Sequence, residues 1–351
     1  MELFPIYDEN SKISKNLWYS ISALGDSPLM RVGHTIVHKK FNSDSKGKFY
    51  IVGGANPSNS FNDVYTLDMD TLSWDKYDED LENFPKGRYE HSCMLHDDSI
   101  YIFGGSNEDG SLNDVFKINT DENKIEKILN SSTNCPTPRT IHVGANLKNQ
   151  LVIFGGGIEG KSPIQDKKVY IYNTSSNKWI ALSINGKNPE YRQGHLMIGH
   201  DDSEIYLHGG MNEEGIFDDF WVLNLKKMTW AQVDQDQNNR PSGRAAHGGI
   251  SVNNNLYIFG GIGETGLALD DLWKYDLNQN QWSLIEIFGY KPPSRLDFAY
   301  CKATFKTSDN DEENENEDNL KVESEKNFFV IHGGMDTEGN VFDDIFMISL
   351  E

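Results

Sequence analysis

Six arginines recur at matching places along this chain: Arg31, Arg88, Arg139, Arg192, Arg244 and Arg295. Five open an Arg-x-x-His tetrapeptide, ending at His34, His91, His142, His195 and His247, and the sixth ends at Phe298. A guanidinium carries five donors in a planar fork, which suits bidentate capture of a carboxylate or a phosphate. Two uses of such a set are open. The arginines can form a local positive focus on an acidic protein and receive a carboxylate-bearing segment of a partner. Alternatively, each can pair internally with a recurring aspartate such as Asp63 or Asp219. The histidines read as buried hydrogen-bonding groups rather than as a metal ring, because they are spread evenly, one to a unit. His208 and His332 stand where other units have an apolar residue, and read as substitutes for one.

Other chemistry is weaker. Gly155 to Ser162, GGGIEGKS, satisfies the G-x-x-x-x-G-K-S pattern, yet a phosphate cradle needs a helix next. Here Pro163 follows at once, and then QDKKVYIYN, which the register of the repeat described below assigns to a strand. Lys161 therefore reads as a surface loop residue. The acidic run DNDEENENED lacks the sixth-position glycine of an EF-hand loop, so no calcium site is expected there. There is no H-E-x-x-H, G-x-S-x-G or C-x-x-C. No catalytic residue, cofactor or metal is expected, and the chain reads as a non-enzymatic binding protein.

Six Gly-Gly pairs end short apolar runs: FYIVGG, IYIFGG, LVIFGG, IYLHGG, LYIFGG and FVIHGG. Their intervals are 51, 51, 54, 51 and 73 residues. An apolar run stopped by two glycines reads as a buried strand ending where positive φ is required. A period of about 50 residues is that of the kelch propeller. After each Gly-Gly an Asp precedes an aromatic by two: Asp63/Tyr65, Asp114/Phe116, Asp219/Trp221, Asp271/Trp273 and Asp344/Phe346, with Lys168/Tyr170 in the third unit. A Trp follows nine residues later in four units, as Tyr65 to Trp74, and Ile125 takes its place in the second. That spacing predicts a tight antiparallel hairpin with the two large side chains facing each other. Each unit is then four strands, a to d: a follows the Arg, b ends in Gly-Gly, c carries the aromatic and d the Trp.

The expected fold is all-β, a six-bladed kelch propeller of four antiparallel strands per blade. The blades span about residues 31–78, 88–129, 139–183, 192–234, 244–287 and 295–351. Phe346 lacks a following Trp, whereas Trp18 in residues 17–21 has no c strand of its own. An N-terminal strand completing the last blade would close the ring and remove its exposed edges. In that topology the d–a and b–c loops share one face, and the a–b and c–d loops the other, so the arginines ring the channel mouth on the first. The last interval exceeds 51 by 22, which locates an acidic insertion at residues 306–327 that is expected to be disordered.

The formal charge of −22 argues against nucleic acid and anionic membranes as direct partners. No apolar run of 18 residues predicts a membrane span, and three scattered cysteines suit a reducing cytosol.

WYSISALGDSPLMRVGH, GKFYIVGGANPSNSFNDVYTLD, GGGIEGKSPIQDKKVYIYN, RLDFAY and GGMDTEGNVFDDI occur in that order. With them the chain, from Leu17 to Glu351, resembles the Rab effector proteins with kelch motifs, acidic insertion included. Ile125 and Phe298 depart from the pattern. The resemblance implies a cytoplasmic protein, peripheral on endosomal membranes, that binds a Rab GTPase in its GTP form. It also implies a role in endosome-to-trans-Golgi vesicle transport, and it does not say which residues touch the Rab. A general kelch scaffold or substrate adaptor that binds an acidic peptide segment is the other reading open to this sequence.

Overall fold

The computed structural model describes residues 4–350 except 9–10, 78–83, 130–133 and 310–321. Among these residues all regular structure is β. Blade one comprises Thr35–Lys39, Lys48–Val52, Val64–Asp68 and Ser73–Lys76, hydrogen-bonded in chain order into one antiparallel sheet. Four further sheets repeat this plan, and the sixth has five strands. The innermost strands touch in a circle, from blade one through blade six and back to blade one.

The Gly-Gly pairs explain how neighbouring blades join. Both glycines of every pair have positive φ, and a Cβ on Gly54 would lie 2.7 Å from the Cβ of His34. Because no side chain intervenes, the N–H of the second glycine donates to the next blade's arginine carbonyl. The bonds run from Gly54 to Arg88, Gly105 to Arg139, Gly156 to Arg192, Gly210 to Arg244 and Gly261 to Arg295; Gly334 to Arg31 completes the circle.

Closure follows the same logic. Trp18–Ile21 pairs antiparallel with Ile345–Ser349 as the outer strand of blade six, and Ile6–Tyr7 adds a short parallel strand outside it. Trp18 is fully buried, and its ring lies 5.3 Å from that of Phe259 in blade five. That contact repeats around the ring: the residue before Gly-Gly packs against the next blade's Trp. Phe103 meets Trp179, Phe154 meets Trp230, His208 meets Trp282 and His332 meets Trp74, with ring centroids 4.7–6.2 Å apart. Blade two has Ile125 instead of Trp, and the residue it packs with is the smaller Val52.

Two expectations are corrected. The c-strand aromatic and the Trp do not face each other: Tyr65 opposes Lys76, and Trp74 opposes Leu67. The c–d connection is a four-residue turn, Met69 to Leu72 in blade one, so the nine-residue spacing places the Trp opposite the residue two beyond the aromatic. The second correction concerns residues 306–327. Strands Ala299–Asp309 and Val322–His332 stay in register beyond the blade, from Lys306↔Glu325 to Asp309↔Val322. Phe305, stacked on Phe328 at 4.5 Å, anchors this longer hairpin, and Tyr7 packs on Phe305. Residues 310–321 lie outside the described part. The hairpin emerges beside blade one's a–b loop, where Lys40 pairs with Glu325 and Lys306 with Asp44.

Candidate functional site on the arginine face

Each of the six arginines sits just before strand a and runs inward beneath its own blade's b–c loop. All are at most 3% exposed. Nε donates to the carbonyl two residues back, as in Arg192 to Glu190. Nη1 donates to the carbonyl of the first Gly of its own Gly-Gly pair, 2.7–3.1 Å away. The fork then closes on the Asp of the Asp-x-aromatic motif. Arg31 grips Asp63, Arg88 Asp114, Arg192 Asp219, Arg244 Asp271 and Arg295 Asp344, each through both carboxylate oxygens. Aromatic rings cover five of the six guanidiniums, those of Arg31, Arg88, Arg139, Arg192 and Arg295, with Phe217 4.1 Å from Arg192.

Blade three differs because Lys168 replaces the Asp. Arg139 reaches only Asp166, at 3.6 Å, and that carboxylate accepts the Tyr170 hydroxyl. Burial draws Arg139 below its ordinary pKa, with too little compensating charge beside it. Burial also opposes ionisation of Asp219 and Asp271, yet hydrogen bonds and charge from Arg192 and Arg244 outweigh it and hold both carboxyls low.

The structure therefore brings the six candidates together as loop clamps. Of the two uses open to them, internal pairing is the one seen: every guanidinium points inward and is occupied by its own blade. Breaking one fork isolates a buried carboxylate, at a cost of about 3–5 kcal/mol. Arg192→Met is expected to lose stability in that range, and Arg139→Met about half of it, since Tyr170 still holds Asp166. Urea unfolding of both variants checks this; equal losses would mean that the fork contributes nothing special.

The residue two beyond each arginine lines the channel mouth: Gly33, Glu90, Ile141, Gly194, Ala246 and Asp297. All six have φ between 48° and 65°. Amide-to-carbonyl bonds link most of them side by side, as in Glu90 to Gly33, Gly33 to Asp297 and Asp297 to Ala246. Ile141 holds this left-handed conformation despite its branched side chain, a strain that persists only where surroundings impose it. Behind the mouth lies a cavity of about 520 Å³. Burial pushes the Glu90 carboxyl up, against a hydrogen bond from Thr140. Burial, and then the charge of Glu90, raises Asp297 well above the carboxylate range.

The ring histidines pack beneath the preceding blade's Gly-Gly, where Phe298 takes the same place in blade six. His208 and His332 are not mere apolar substitutes: His208 bonds His247 at 3.0 Å, and His332 bonds His34 at 2.7 Å. Their position one residue before Gly-Gly, two blades out of six, was the available signal. Among the described residues no group of three His, Cys, Asp or Glu side chains is placed to hold a metal.

The GGGIEGKS segment is a b–c loop, and four of its amides are already spent. Gly156 donates to Arg192, Gly157 to Thr140, Glu159 to the Ser111 hydroxyl and Lys161 to Ile158. Lys161 is exposed beside Glu159. The helix whose N-terminal amides a phosphate cradle needs does not follow, since the next elements are the strands Ser162–Pro163 and Val169–Asn173.

The repeat, the closed ring and the clamped loops define a kelch-repeat propeller. Residues 10–146 match the KLHDC2/KLHL20/DRC7 Kelch-repeats domain, and residues 243–287 match the Kelch motif. The chain is 31% identical to the Rab9 effector protein with kelch motifs of Rattus norvegicus, over 98% of both chains. The Mus musculus protein of that name is 30% identical over 98% of this chain and 96% of its own. The Homo sapiens protein is 34% identical over 62% of this chain and 59% of its own. The chain belongs to this family of Rab9 effector proteins with kelch motifs. No helix among its described residues is long and apolar enough to cross a membrane.

Proposed function

We propose that this chain is a non-enzymatic effector that binds a Rab GTPase in its GTP form and supports endosome-to-trans-Golgi transport from the cytoplasmic side of endosomal membranes. Similarity across 98% of the chain to relatives named as Rab9 effectors carries the reading. The clamped d–a and b–c loops supply a rigid surface for it, since each Arg–Asp fork fixes a loop that would otherwise pay ordering entropy on binding. The arginines serve the partner through these loops rather than by touching it. Capture of an acidic segment by the arginines is disfavoured, because their donors are already taken.

Titration calorimetry with GTP-locked and GDP-locked Rab9, beside a panel of other Rabs, tests the proposal. The expected result is binding of a GTP-locked Rab with at least about tenfold preference over its GDP form, equivalent to about 1.4 kcal/mol. Deletion of residues 308–325, whose described flanking strands leave the opposite face, should leave that affinity unchanged. Equal affinity for both nucleotide states, or no binding to any Rab, would overturn the reading.

A further inference from the structure

We propose that the d–a/b–c face is a docking surface for a basic-rimmed, apolar-centred patch on the Rab, an inference that rests on the function proposed above. Most large apolar side chains on these loops should be hidden if the face only met water, yet Leu29, Met30, Ile158, Met211 and Leu267 are exposed, Leu267 by 62%. They sit on the d–a connection into blade one and on the b–c loops of blades three, four and five. The other face exposes large apolar side chains too, Phe41 and Met228, but fewer than this one, and apolar side chains concentrated on one face mark an interaction surface.

Charge selects the occupant. The b–c loop tips carry exposed Glu108, Glu213, Glu214, Glu264 and Glu338 on four different blades. None of these five forms an ion pair among the described residues. The lysines of the neighbouring d–a and b–c loops are mostly engaged, Lys86 with Asp109, Lys161 with Glu159, Lys167 with Glu190 and Lys291 with Asp270, while Lys168 is exposed. The arginines beneath face inward onto their own aspartates and so do not offset these carboxylates at the surface. The opposite face is mixed instead: Lys39, Lys40 and Lys306 there meet Asp98, Asp121, Glu325 and Asp44. The acidity is thus a property of this face rather than only of the whole chain. Complementary potentials steer encounter, while apolar contacts at the centre set the lifetime of the complex.

The geometry assigns two separable effects. The variant Glu213→Lys/Glu214→Lys/Glu264→Lys should associate with GTP-loaded Rab9 about tenfold more slowly at low salt, a gap that closes as salt screens the field. Ile158→Ser/Leu267→Ser should instead raise the dissociation rate. Glu122→Lys, in a c–d turn of the other face, should change neither. Stopped-flow association at several salt concentrations reads the first effect, and surface-immobilised Rab9 the second. Wild-type rates for the triple variant at every salt concentration would overturn this inference and leave the effector reading standing. Failure of the unaltered protein to bind any GTP-loaded Rab would remove both.

Discussion

Acid is expected to unfold this protein abruptly, beginning just below pH 6.5. His34, His38, His91, His142, His195, His208, His247 and His332 are all held neutral in the fold, chiefly because burial penalises the imidazolium. Five of them are lowered to about 3 and His38 to about 4, while His34 and His247 lie well below 6.5. A depressed folded pKa means that only the unfolded chain takes up these protons between 6.5 and about 3. The stabilisation is therefore complete above 6.5 and is lost as pH falls through that window. Each histidine contributes about 1.4 kcal/mol per pH unit there. Eight together remove about 10 kcal/mol between pH 7 and 5.5, comparable to the whole stability of a typical domain. Glu90 and Asp297 act in the opposite sense, since their raised pKa values favour the protonated fold. Two such groups cannot offset eight.

The test follows from blade six, where Phe298 already occupies the ring-histidine position. His142 and His195 form no side-chain hydrogen bonds, so Phe at both sites should be accepted at pH 8. Urea unfolding of His142→Phe/His195→Phe should then show a shallower loss of stability below pH 6.5, by about 2.8 kcal/mol per pH unit. An unchanged slope would mean that other groups take up the protons.

Much of the fold was legible because a repeat averages out local ambiguity. Any one run such as LVIFGG fits a buried strand or a short helix segment, whereas six at nearly equal spacing fit one architecture. Trp18 was legible for a related reason: a repeat exposes a missing member, and the chain's other end held it. Register was not legible, because a spacing of nine fits more than one turn length. The side on which a long polar side chain ends was not legible either. Arg192 and Asp219 are 27 residues apart, and sequence order shows that they share a loop region without showing that the fork points inward. The His34–His332 bond spans the two ends of the chain, so only ring closure brings it about. Part of the acidic insertion is strand for a comparable reason: Phe305 and Phe328 stack at its base, which composition averaged over 306–327 conceals.

Removal of residues 1–21 is expected to cost the protein about 5–10 kcal/mol, the second large effect. Trp18, Tyr19, Ile21 and Tyr7 are all at most 7% exposed, and truncating a buried Trp alone costs about 3–5 kcal/mol. The outer-strand ladder goes with them, leaving Ile345–Ser349 as a long apolar edge open to pairing with other chains. The circle of Gly-to-Arg bonds stays covalently possible, because Arg31 and Gly334 remain. The truncated chain is therefore expected to fold with a sharply lower melting temperature and to self-associate, rather than to lose the blades one to five. Trp18→Ala separates packing from the ladder: it should lose about 3–5 kcal/mol while remaining monomeric. Thermal unfolding and sedimentation of the two variants check this. A truncated protein that melts with the intact one, or a Trp18 variant as prone to associate as the truncation, would show that the N-terminal strand merely rests on blade six. Closure would then depend on the inner circle at Gly334 and Arg31 alone.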